Sequence, residues 1–170
     1  MKRVLGICGS ASAISSNLEL LQVISVEFSE HVELKIYDGL PKLPLFTPDR
    51  LKAGVPASVS ELKSAVSQAD AVIICTPEYL HNIPAVLKNA LEWMTESGEL
   101  ANKPVLPITF TPAPPRGEYA MKSLLQSLVA SKAKVVAEMP LYQNEIRDQS
   151  GRMVLNDEHR FILLEALNLL

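Results

Sequence analysis

Cysteine is scarce in this 170-residue chain: Cys8 and Cys75 are its only two, far apart, and they make neither a disulfide framework nor a zinc site. No apolar run nears the ~18 residues a membrane span requires. The N-terminal run Met1–Cys8 starts with charge and meets Gly9-Ser10 before reaching the length of a secretory h-region, so no leader is expected. Basic runs are missing too. Sixteen Lys and Arg against nineteen Asp and Glu give a net charge of −3, a poor basis for binding nucleic acid. Neither an internal repeat nor a linker is visible. With 48% hydrophobic and 21% charged residues the chain is not disordered. At this length folding buries roughly 70% of the unfolded surface without metal or disulfide staples. These absences predict one cytoplasmic domain spanning residues 1–170, free of membrane and nucleic acid.

What is present is an alternation of two periodicities. Val4–Cys8 is a short apolar run, and Leu18, Leu21, Ile24 and Phe28 follow at helical spacing. Val32–Tyr37 alternates and stops at Asp38-Gly39, a turn signal. Pro41, Pro44, Pro48 and Pro56 then read as one long loop. Val59, Leu62 and Val66 are helical in spacing, and Ala71–Cys75 is the unbroken apolar run of a strand buried on both faces. A helix from Ile83 to Met94 comes next, then a strand over Val105–Phe110 interrupted by Pro107. The remaining elements are a helix from Met121 to Val129, a fifth strand over Lys134–Ala137 and a last helix over Asp157–Leu170. Five β-α units imply a parallel sheet covered by helices on both faces. The expected class is a three-layer α/β sandwich with five parallel strands in the order 2-1-3-4-5. Ligands then bind beyond the carboxyl ends of strands 1, 3 and 4. The segments there are Gly9–Asn17, Thr76–Asn82 and Thr111–Gly117.

The first segment, Gly9-Ser10-Ala11-Ser12-Ala13-Ile14-Ser15-Ser16-Asn17, sets four hydroxyls and an amide at a helix N-terminus. Free N–H groups and the helix dipole favour an anion there. The plain alternative is that Ser16 or Asn17 only caps the helix. Ala11 and Ile14 occupy the second and third glycine positions of G-x-G-x-x-G, and no Lys completes a nucleoside triphosphate loop. A phosphate monoester is the better match.

The second segment is more specific. Thr76-Pro77-Glu78-Tyr79-Leu80-His81-Asn82-Ile83-Pro84-Ala85-Val86-Leu87-Lys88-Asn89-Ala90-Leu91-Glu92-Trp93 resembles the P-E-Y-N-x-S-x-P-G-x-L-K-N-A-x-D-W run of the NADPH-dependent FMN reductase family, which has a flavodoxin-like fold. Gly9, Ser10, Ser15 and Asn17 match the family's first loop, G-S-x-R-x-x-S-x-N. The resemblance implies FMN with its phosphate at Ser10, Ser12, Ser15, Ser16 and Asn17. It places the ring edge along Pro77, Glu78, Tyr79 and Leu80, with Thr111, Pro112 and Ala113 on the other side. It also implies NADPH or NADH as co-substrate, a small-molecule electron acceptor, and a homodimer or tetramer with contacts near Trp93 and Met94. Flavin carries the chemistry in such enzymes, so no catalytic residue is expected, and no metal.

Several positions depart from that pattern. Ser12 stands where the family has arginine, Leu80 where it has asparagine, and Ala85 where it has glycine. The third segment, Thr111-Pro112-Ala113-Pro114-Pro115-Arg116-Gly117, replaces a Gly-Gly turn with three prolines, which stiffen it and remove three donors. Arg116, the only cation in the three segments, reads either as a contact to the nicotinamide cofactor's phosphate or as a solvated side chain. Cys8 and Cys75 are read as small buried hydrophobes before a redox pair, and His81 as a solvated loop residue before a proton donor. Glu78 is read either as tuning the flavin or as serving a turn or subunit contact. His31 and His159 have no partner pattern. A flavodoxin-type electron carrier and a flavin-free binding protein are the alternatives to a reductase. The first is disfavoured by the modest charge and by Tyr79 being the only aromatic in these segments.

Overall fold

Apolar side chains that alternate along a buried strand point to two sides, so the sheet needs cover on both faces. A computed structural model describes residues 1–170. Its elements are β1 (Lys2–Cys8), α1 (Ser16–Glu27), β2 (Val32–Tyr37), α2 (Pro48–Ala53), α3 (Ala57–Gln68), β3 (Ala71–Thr76) and α4 (Ala85–Thr95). There follow β4 (Pro104–Thr111), α5 (Glu118–Ala130), β5 (Lys134–Val135), β6 (Met139–Tyr142), α6 (Gln143–Ile146) and α7 (Asp157–Leu169). All pairings are parallel, in the order β2-β1-β3-β4-β5, with β6 also on β4. On one face Cys8, Ile73, Cys75 and Phe110 pack with Leu21 and Ile24 of α1 and Leu163 of α7. On the other, Ile7, Val72 and Ile74 pack with Leu62 of α3, Leu87 of α4 and Leu124 of α5. Each such aliphatic side chain, wholly buried, contributes about 1.5–3 kcal/mol.

The fifth strand is not Lys134–Ala137 as the apolar pattern implied. It is divided into β5 and β6, and the edge carries one extra residue between Val135 and Met139 relative to Val105 and Ile108. Pro107 lies opposite this break, while its own strand runs uninterrupted from Pro104 to Thr111 and pairs continuously with β3. Proline offers no N–H to a neighbour, and a bulged edge strand tolerates that loss.

The Pro-rich segment is also more ordered than one loop. A 3-10 turn spans Leu40–Lys42, and α2 begins with Pro48 after the N-cap Thr47, whose Oγ1 accepts from Arg50 N–H. Pro41 and Pro48 both sit in the first turn of their helices, where a missing N–H costs nothing. Helix α4 holds the loop in place. Asn89 Oδ1 accepts from Phe46 N–H at 2.7 Å, and Asn89 Nδ2 and Trp93 Nε1 both donate to Pro44 O. Phe46 meets the Trp93 ring edge-on. Trp93 and Met94 are therefore core residues of this chain, 1% exposed, and offer no surface to a second subunit.

Replacing Asn89 by Ala leaves the Phe46 N–H and one bond to the Pro44 carbonyl unmade. We expect a loss of about 1–3 kcal/mol in urea unfolding, with proteolytic nicking concentrated in residues 44–56.

Candidate functional site

The carboxyl ends of β1, β3 and β4 open onto one cleft, whose walls come from the three segments that follow them. Gly9 starts the first. A Cβ there would stand 3.0 Å from both Leu87 and Thr76, so only glycine lets the chain leave β1 this close to β3 and α4. Ser12 N–H donates to Ser10 Oγ, and Ser12 Oγ donates to Ile14 O at 2.9 Å, which curls the loop. Ser15, not Ser16 or Asn17, is the N-cap of α1, its Oγ accepting from Leu18 N–H. The backbone N–H groups of Ala13, Ile14, Ser15, Ser16 and Asn17 make no hydrogen bond within the chain. Five successive free donors at a helix start form an anion cradle.

Asn17 is buried, and its Oδ1 accepts from the Cys75 thiol at 3.2 Å. Cys8 and Cys75 are register neighbours, both free thiols. Burial, with Cys8 adding to it, pushes the Cys75 thiol well above its ordinary value. A buried thiol of this kind keeps its proton, and Cys75 uses it to tether Asn17.

Glu78, in the second segment, is buried at the edge of the cleft, and one of its carboxylate oxygens is taken up by α5. Its Oε2 accepts from Tyr119 N–H and Ala120 N–H, each at 3.0 Å, and so caps the start of α5 from outside the helix. His81 packs on the Tyr119 ring at 4.5 Å and lies 3.6 Å from Glu78 Oε1. Tyr79 and Asn82 exchange backbone hydrogen bonds across Leu80 and His81, whose φ values are 49° and 56°. Two successive left-handed residues make a type I′ turn, which favours asparagine and glycine. Leu80 occupies such a position with its side chain 99% exposed. The family asparagine at this place therefore has a backbone reason as well as a polar one.

In the third segment Thr111 Oγ1 donates to Arg116 O, Arg116 N–H donates to Ala113 O, and Asn144 N–H donates to Pro112 O. Gly117 takes φ 104° before α5, and a Cβ there would come within 2.9 Å of Thr109 Oγ1. Only Ala113 N–H and Gly117 N–H remain unpartnered between Pro112 and Gly117.

The cleft joins Ser10, Ser12, Ser15, Ser16 and Asn17 to Pro77, Glu78, Tyr79, Thr111 and Pro112. Leu80 and Ala113 do not line it: Leu80 points to solvent, and Ala113 sits half-buried in its own turn. Ile14, Phe110, Arg116 and Gln143 complete the lining. Gln143 begins α6, far along the chain, and no motif marks it. The lining, neutral hydroxyls and N–H groups at one end and Pro77 and Tyr79 at the other, fits a phosphate monoester carrying a planar ring.

Because Leu80 is strained by roughly 1–2 kcal/mol in the left-handed region, Leu80→Asn should raise stability by about 0.5–1.5 kcal/mol. A lowered midpoint of urea unfolding would refute the assignment of strain.

The sequence profile of the NADPH-dependent FMN reductase family matches residues 2–145. A Vibrio ruber protein named NADH:(hydroxy)cinnamate reductase subunit CrdA is 34% identical over 169 residues, 96% of this chain and 82% of its own. A quinone reductase of Escherichia coli is 32% identical over 130 residues, 72% of this chain and 69% of its own. Among solved structures, the flavoenzyme FerB of Paracoccus denitrificans, an NAD(P)H:(acceptor) oxidoreductase, superposes with a TM-score of 0.84 at 24% identity. That match covers 99% of this chain and 94% of the other, a likeness of fold. The profile match over residues 2–145 and the two relatives above 30% identity agree with the cleft and the free N–H groups at α1: the chain belongs to the NADPH-dependent FMN reductase family and is an FMN-dependent NAD(P)H oxidoreductase.

Proposed function

We propose that FMN lies in the cleft with its phosphate against the N–H groups of Ala13–Asn17 and the Ser16 hydroxyl, and its ring between Pro77–Tyr79 and Thr111–Pro112. The unpartnered run of donors from Ala13 to Asn17 is the observation that carries this reading. When bound, FMN would supply the redox chemistry between a reduced nicotinamide and an electron acceptor. The protein's part is to bind, orient and shield. Ser15 and Ser12 shape the loop, and Asn17 is held by Cys75. Glu78 locks the second segment to α5, which keeps the ring wall fixed relative to the third. Arg116, exposed at the cleft, is placed to meet a cofactor phosphate arriving from solvent.

The acceptor is a small molecule of quinone, flavin or related type, as the names of the relatives imply. Reduced nicotinamide supply points to a cytoplasmic setting. Tyr79, Leu80 and Tyr119 are exposed on the two segments that Glu78 ties together. This apolar surface supports a homodimer or tetramer with its contacts here and not at the buried Trp93 and Met94. A flavodoxin-type carrier is not favoured, since the net charge is only −3. The flavin-free alternative is disfavoured by the intact donor run.

Titration of apoprotein by fluorescence quenching should show FMN bound more tightly than riboflavin. Ser16→Ala removes one hydrogen bond to a charged group, worth about 1.5–3 kcal/mol, or roughly ten- to a hundredfold in Kd for FMN. Equal affinity for the two flavins would overturn the phosphate assignment. With so few donors in the third segment, FMN should be partly lost on dialysis, and NAD(P)H oxidation should recover as FMN is added back. Sedimentation of Leu80→Glu should show subunits dissociating, whereas a wild-type monomer at tens of micromolar would remove the oligomer from this reading.

A further inference from the structure

The first segment has no basic residue between Gly9 and Asn17, yet a guanidinium reaches its end from the far side of the chain. Arg147 follows α6, just beyond the residues that the family profile matches. Its Nη2 donates to Ser16 Oγ at 3.1 Å and to Glu19 Oε2 at 2.6 Å. Its Nη1 donates to Glu19 Oε1 at 3.3 Å and to the Gly151 carbonyl. All four Nη hydrogens are thereby used, which fixes the plane of the group.

The arm that delivers it is anchored. Arg147 pairs with Met153 across a short antiparallel bridge, and Val154 N–H donates to Ile146 O. Asp148 Oδ1 closes the intervening turn by accepting from Ser150 and Arg152. Ile146, Met153 and Leu155 are buried in the core beside α1. The guanidinium is thus held by packing as well as by Glu19.

The consequence lies in the donor count at Ser16. A hydroxyl has one proton to give. Ser16 Oγ accepts from Arg147, and no carbonyl or carboxylate of the chain takes its own proton. Ser16 lines the cleft, next to the unpartnered N–H groups. A hydroxyl that accepts from a cation is polarised into a stronger donor. We propose that Arg147 is a positioning residue for phosphate recognition, one that fixes Ser16 as a donor toward the first segment and links that otherwise uncharged loop to a cation. This rests on the reading that the flavin phosphate occupies the first segment. Glu19 neutralises the guanidinium, so Arg147 acts through the orientation of Ser16 and adds little long-range charge.

Apoprotein of the wild type, Arg147→Gln, Ser16→Ala and the double variant should be titrated with FMN and with riboflavin. Wild type should prefer FMN. Arg147→Gln should weaken FMN by about tenfold and leave riboflavin within about twofold. Since both residues serve one contact, the double variant should be no weaker for FMN than the single ones. Arg147→Lys keeps a charge for Glu19 but loses the fork, so it should fold as wild type and still lose several-fold in FMN affinity. Equal weakening of both flavins, or effects of Arg147→Gln and Ser16→Ala that multiply, would show a structural role only and overturn the proposal. A wild type that binds the two flavins equally would instead remove the phosphate assignment beneath it.

Discussion

Every strand of this sheet runs the same way, so the carboxyl ends of β1, β3 and β4 lie along one edge. That constraint gathers three segments, distant in sequence, into one cleft. It also sets the start of α1 at the same edge, with N–H groups that the helix cannot satisfy. The binding site is a by-product of parallel pairing before any particular side chain is chosen.

The side chains then decide how firmly the three segments are held. Glu78 is the main brace, since one carboxylate oxygen satisfies two N–H groups of α5 and ties the second segment to the third. Asn17 and Cys75 do the same between the first segment and β3. Asn89 and Trp93 tie α4 to the Pro-rich loop. Four residues of the most specific stretches are therefore scaffold, and the groups left to meet a ligand are mostly backbone. A cofactor that brings its own chemistry needs little more than this.

Proline shapes the structure in three different ways. Pro41 and Pro48 start helical turns, Pro107 coincides with the divided edge strand, and Pro112–Pro115 thin out the donors beside the cleft. The common cause is the missing N–H, which is harmless at a helix start, tolerable beside a bulge and consequential next to a ligand.

Apolar periodicity alone determined the alternation of strands and helices, the two-faced burial of β3 and the edge where ligands bind, because burial is repeated at every turn or second residue. Motif spacing marked Ser10–Asn17 and Pro77–Tyr79, since free donors at a helix start depend on local chain geometry. The division of the last strand, the left-handed pair Leu80-His81 and the turn of Glu78 toward α5 were decided by tertiary structure. So were the arrival of Gln143 at the cleft and of Arg147 at Ser16. Each of these depends on a partner dozens of residues away, or on a backbone conformation that the residue itself does not favour. No local pattern encodes such a meeting; it follows only when the sheet has brought the two segments together.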